Sequence, residues 1–227
     1  MYPVGVEFLI EGLGLETMTP AGYDSVIDRI APAAQALARQ GAHAIVLMGT
    51  SLSFYKGAAF NRSLADSIRE ATGLPCTTMS SAVVDALREA GARRLAVATA
   101  YNAEVNRRLG AFLAESGFDV LALEGLGLER IGEAGKVGPR DLEDFAARVF
   151  HAVPQSGALL ISCGGFRTLE LIAPLERRCG VPVVSSMPHA LYAAARLAGF
   201  DEPPQKLNLR SPAAPAIVDE PHTGSPS

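Results

Sequence analysis

Tryptophan is absent from this chain of 227 residues, cysteine occurs three times, histidine four times, and only 19% of the residues are charged. Each scarcity excludes a class of function. The histidines, at positions 43, 151, 189 and 222, are scattered and have no carboxylate cluster beside them, so no metal-ligand spacing is present. Cys76, Cys163 and Cys179 are odd in number and also lack metal spacing, so reduced thiols are expected rather than a disulfide framework. Lys and Arg number 20 against 24 Asp and Glu, and a formal charge of −4 does not readily supply the clustered cationic surface that nucleic acid requires. No apolar run approaches the roughly 18 residues of a bilayer span. The longest, at 44–48 and 158–161, have the length of strands. No glycine-rich phosphate loop is present, and no signal sequence is expected from the opening residues. The expectation is a cytoplasmic protein that handles a small molecule, with no metal, cofactor, nucleic acid or membrane partner; its oligomeric state is left open.

What the chain does contain is an internal duplication. Glu11-Gly12-Leu13-Gly14-Leu15-Glu16 recurs letter for letter as Glu124-Gly125-Leu126-Gly127-Leu128-Glu129, each copy after an apolar run, 4–10 and 120–123. Residues 44–51 then align with 158–165, a buried strand entering a small-residue turn, which sets Gly49 opposite Cys163. Residues 72–79 align with 179–187 through one inserted residue, and both are followed by an alanine-rich segment. Three matches in one order mean two similar halves.

Short apolar runs alternate with amphipathic segments at 23–39, 59–71, 82–90, 102–115 and 140–153, the pattern of parallel strands joined by crossover helices. The fold class is therefore α/β, with two pseudo-symmetric parallel-sheet halves at 1–92 and 93–200. Residues 201–227, rich in proline and serine without apolar periodicity, read as a disordered tail. Before its copy of the hexapeptide the second half has a strand at 94–100 and a helix at 102–115, where the first half has only residues 1–10. The first strand of the N-terminal half is thus expected to be missing.

In open parallel sheets ligands bind beyond the carboxyl ends of the strands. Three strands end there in chemistry-bearing residues: Gly49-Thr50-Ser51, Tyr101, and Cys163-Gly164-Gly165. The paired glycines allow close backbone approach and aim amides at a ligand, while Thr50, Ser51 and Tyr101 add hydroxyl donors. Together these form an anion hole beside a thiol. Thr50 and Ser51 also suit helix capping. Cys76 and Cys179 read as core thiols, Phe54 and Tyr55 as packing residues, and His189 as a partly exposed residue at a helix start.

The segments 47–57, 74–83, 98–101 and 162–165, taken with the repeat, resemble the aspartate/glutamate racemase superfamily and, within it, the arylmalonate decarboxylases. Members of that superfamily place one cysteine on each half, facing across the substrate; here one of the two is Gly49. The resemblance implies cofactor-independent, enantioselective decarboxylation of disubstituted arylmalonates to 2-arylalkanoates, a dicarboxylate being the small-molecule partner. Cys163 would be the proton donor, and Thr50, Ser51, Tyr101, Gly164 and Gly165 the anion hole. Leu15, Met18, Tyr23, Leu52, Ile131 and Ala134 would line an apolar pocket. A racemase or isomerase of the same fold and a non-catalytic binding member are the alternatives. A helix N-terminus would lower the pKa of Cys163 and a bound dianion would raise it; the sequence does not decide between them.

Overall fold

The computed structural model describes residues 6–200, so the tail expected at 201–227 lies outside the described residues, as do residues 4 and 5 of the first apolar run. Nine α-helices and six strands follow in the order α1 Pro20–Asp24, α2 Ile30–Arg39, β1 Ile45–Leu47, α3 Thr50–Phe54, α4 Gly57–Thr72, β2 Cys76–Thr78, α5 Met79–Glu89, β3 Arg94–Thr99, α6 Ala103–Glu115, β4 Asp119–Gly125, α7 Pro139–His151, β5 Ala158–Ser162, α8 Ile172–Cys179, β6 Val183–Ser185 and α9 Ser186–Leu197, counted among the described residues. The segment at 23–39 is not one helix. A 3₁₀ turn, Ile27–Arg29, interrupts it, and Pro32, which is tolerated only in a helix's first turn, fits a new start at Ile30.

All strand pairs are parallel, in a two-stranded sheet β1-β2 and a four-stranded sheet β4-β3-β5-β6. Every residue of β5 is buried, as its four leading apolar residues and its central position require, and Ser162 at its end is buried with them. The repeat is visible in the register, because Ile45 pairs with Cys76 as Leu159 pairs with Val183. The left-handed C-caps Gly73 and Gly180 and the helix starts at Met79 and Ser186 correspond as well. This corrects the sequence alignment. No residue is inserted, and the partner of Met79 is Ser186, not Met187.

The hexapeptide copies meet at the approximate twofold axis. Thr17 and Arg130 form an isolated antiparallel bridge. Met18 N donates to Glu129 O at 2.6 Å and Ile131 N to Glu16 O at 3.0 Å, two hydrogen bonds that the repeat interchanges. The second glycine of each copy, Gly14 and Gly127, has φ near +70°, a conformation open to glycine and costly for other residues. Over its described part, 6–10, the first apolar run forms no strand. Ile10 is 85% exposed, and among the described residues β1 has no neighbour on the edge that β3 occupies beside β5. A strand without a ladder leaves its backbone groups to water.

Across the axis, α5 and α9 pack on each other, α9 reaches β1 and β2, and α5 reaches β6. One contiguous apolar core, from Met18 to Val184, includes residues of both sheets. The carboxyl ends of β1, β3 and β5 open on the same region.

Candidate active site

Gly49, Thr50 and Ser51 follow β1 after Met48. Gly49 is the N-cap of α3 and no side chain caps that helix, so Thr50 and Ser51 lie inside its first turn and their hydroxyls are not spent on capping. The Thr50 carbonyl is fixed instead by the Ser80 hydroxyl of α5 at 2.9 Å and by Ser53 at 3.0 Å. Tyr101 leaves β3 in a turn held by Thr99, whose Oγ1 accepts from Tyr101 N at 3.1 Å and donates to Asn106 Oδ1 at 2.6 Å. The Tyr101 phenol lies 3.4 Å from the Ser162 hydroxyl and is fully buried. Burial pushes its pKa well up, with the Cys163 thiol adding to the rise and the Ser162 and Thr50 hydroxyls opposing it. It is therefore a neutral donor.

Cys163 follows β5 directly and is 4% exposed. Gly165 N donates to its Sγ at 3.4 Å. Burial raises the thiol pKa, outweighing the amides of Gly165 and Phe166, which lower it. Without ligand the group is a protonated acid in neutral solution, and a bound dianion would push the same way. Gly165 is wedged in place: a β-carbon there would come within 3.1 Å of Ala134 Cβ and 3.6 Å of Cys163 Sγ. A β-carbon at Gly164 would come within 3.2 Å of the Met79 thioether.

Of the pocket residues expected from the sequence, Tyr23, Leu52, Met18 and Ala134 are buried. Tyr23 Oη is enclosed with no hydrogen-bond partner. Burial drives its pKa up, with the nearby Ser51 hydroxyl opposing and Cys163 reinforcing that rise. Leu15 is half-buried and Ile131 is 51% exposed, at the rim beside the twofold bridge. A cavity of about 430 Å³ opens next to Gly164 and Gly165, walled by Phe166, Met187, Pro188 and Leu191 and also by Arg167, Thr168 and Glu170, and none of the six expected pocket residues lines it. The geometry thus assembles an acid, neutral hydroxyl donors and apolar walls. Ser162, Thr99, Asn106 and Met79 join the site without having been singled out from the sequence, since short hydroxyl, amide and thioether side chains carry no distinctive spacing. Among the described residues, no group of three or more His, Cys, Asp or Glu could hold a metal ion, and no helix is long and apolar enough to cross a membrane.

Comparison with known proteins identifies the family. The family profile described as arylmalonate decarboxylase matches residues 1–208. The chain belongs to the arylmalonate decarboxylase family. It is 51% identical to the arylmalonate decarboxylase of Bordetella bronchiseptica over 199 residues, 88% of this chain and 82% of that protein. A solved structure of an arylmalonate decarboxylase mutant in the liganded form, with a glycine changed to cysteine and a cysteine to serine, superposes with a TM-score of 0.86. The two are 49% identical, over 87% of this chain and 84% of that one. The maleate cis-trans isomerase of Nocardia farcinica, at 19% identity, shares the fold with a TM-score of 0.76 over 81% of this chain and 76% of its own. The family is thus set in an aspartate/glutamate racemase-like fold, as expected from the sequence.

His189 departs from expectation. It is 4% exposed rather than partly exposed, because α9 lies against α5 and the two-stranded sheet. Its Nδ1 sits 3.1 Å from Ser185 N and 2.8 Å from Ser185 O, closing the start of α9 where Pro188 has no amide hydrogen to contribute. Burial lowers its pKa from 6.5 to about 4. The unfolded chain therefore takes up this proton at higher pH than the folded protein does. The stability linked to His189 is complete above about pH 6.5 and is lost as pH falls through about 4, by roughly 3 kcal/mol at most. Thermal unfolding followed between pH 7 and 4 should show this loss in the native chain and a shallower one in His189→Asn. Parallel curves would remove His189 as the cause.

Proposed function

We propose that the chain decarboxylates disubstituted arylmalonates without a cofactor and yields one enantiomer of the 2-arylalkanoate. The observation that carries the reading is the pairing of a protonated, buried Cys163 with a glycine, Gly49, at the position related to it by the approximate twofold axis. Only one face of a planar intermediate then has a proton donor. The relative whose glycine and cysteine were both substituted supports the assignment, since its two positions are separated by the same interval as Gly49 and Cys163.

In this reading one carboxylate accepts hydrogen bonds from Thr50, Ser51, Tyr101 and the amides at Gly164 and Gly165. The second carboxylate is set against Met18, Tyr23, Leu52 and Ala134, with Leu15 and Ile131 at the rim. Poor solvation of the second carboxylate favours its loss as carbon dioxide. The electron pair of the broken C–C bond moves into the retained carboxylate, giving an enediolate whose added charge falls on oxygens already facing the donors. The stabilisation therefore grows towards the transition state. The Cys163 thiol transfers its proton to the α-carbon, and the thiolate regains a proton from solvent. The cavity of about 430 Å³ beside Gly164 and Gly165 is large enough for an aryl substituent.

Incubation with phenylmalonate and with 2-methyl-2-phenylmalonate should release carbon dioxide, while maleate and D- or L-aspartate remain unchanged. Isomerisation of maleate or racemisation of aspartate in place of carbon dioxide release would overturn the proposal.

A further inference from the structure

Met79 lies where neither the repeat nor the reaction requires a methionine. It is the first residue of α5, is fully buried, and its partner across the axis is Ser186. Thr50 Oγ1 donates to Met79 Sδ at 2.8 Å. The same thioether faces Gly164, as the 3.2 Å approach to a β-carbon there indicates. The side chain therefore lies between Thr50 and Gly164, themselves partners in the repeat and both members of the proposed anion hole. The neighbouring Ser80 holds the Thr50 carbonyl, so consecutive residues of α5 fix the backbone and the hydroxyl of Thr50.

We propose that Met79 is a positioning residue that holds the Thr50 hydroxyl proton in the empty site and releases it to the substrate. A buried hydroxyl without an acceptor is costly, whereas one bound to a strong acceptor would have to break that bond before meeting a carboxylate. A thioether sulfur is a weak acceptor, and a carboxylate makes a charge-assisted bond that displaces it readily. Sulfur therefore keeps the donor oriented at little cost to binding. It also accounts for Gly164, because any larger residue would push the thioether away from Thr50.

This inference rests on the reading that Thr50 binds a carboxylate, and it is tested by a double-mutant cycle. Met79→Leu conserves volume and removes the acceptor, and Thr50→Val removes the hydroxyl. Met79→Leu is expected to lower kcat/KM for phenylmalonate about five- to twentyfold in the native background and less than twofold in Thr50→Val. Met79→Gln, whose amide oxygen is a strong acceptor, should raise KM further and serves for the same cycle if the leucine variant does not fold. A purely packing role would give equal losses in both backgrounds and would overturn the inference. The cycle is repeated on the affinity for 2-phenylpropionate by calorimetry. Failure of the native chain to turn over phenylmalonate overturns the proposed function alone. Absence of 2-phenylpropionate binding, or binding without coupling between positions 79 and 50, overturns the role of Met79.

Discussion

Replacing Cys163 with alanine is expected to lower decarboxylation by about 10²–10⁴-fold, the usual contribution of a positioned general acid, while the protein stays folded. The substitution removes one buried sulfur, a stability loss of about 1 kcal/mol. Cys76→Ala is the matched control. That thiol is also buried and donates to Ala65 O at 3.1 Å, but it lies on β2 away from the site, so its loss should cost comparable stability and leave turnover within about twofold. Equal losses of activity would point to packing and remove Cys163 as the donor. The pH profile gives a second reading of the same group. Burial raises its pKa and the amides of Gly165 and Phe166 only partly offset the rise. The protonated, active form therefore persists through neutral pH, and kcat/KM should decline only above the ordinary thiol range. A decline already complete by pH 8 would mean that the donor is a different group or that the thiol is exposed.

The parts of this molecule that were legible in the sequence are those where a residue type has only one physical use. A hexapeptide repeated intact, with its second glycine left-handed in both copies, marks two equivalent turns. An apolar stretch of strand length, 158–161, fits a central buried strand. A thiol followed by two glycines marks the tight turn after β5, where Gly165 N donates to the buried Cys163 sulfur. Met79 was not legible, because a methionine among small residues has the same appearance whether it fills space or accepts a hydrogen bond. The burial of His189 follows from the contact between α5 and α9, which no local pattern encodes. The run at 6–10 has strand composition but no strand partner among the described residues, and pairing rather than composition decides that outcome. The alignment of Met79 with Met187 failed for a related reason. Matching letters favoured the two methionines, whereas the strand register and the two left-handed caps set Met79 against Ser186.

Gly49→Cys is expected to change the stereochemical outcome rather than only the rate. The backbone permits it, since φ of −162° and ψ of 94° are extended values open to any residue. The space nearly permits it, because a β-carbon would stand 3.1 Å from Leu52 Cβ and 3.4 Å from Leu52 Cδ2, so Leu52 must yield by a few tenths of an ångström. With thiols at 49 and 163 the enediolate meets a donor on each face. The product from 2-methyl-2-phenylmalonate should then become racemic, or a pre-formed 2-arylpropionate should begin to exchange its α-hydrogen with solvent deuterium. In the double variant Gly49→Cys with Cys163→Ser only the new thiol remains. Protonation comes from the opposite face and the configuration reverses, at a rate lowered about 100-fold because the substrate is not oriented for that donor. Chiral chromatography of the product reads the result directly. Retention of the original enantiomer in the double variant would mean that the turns after β1 and β5 do not face each other across the substrate, and the pseudo-symmetric site would have to be abandoned even with the fold intact.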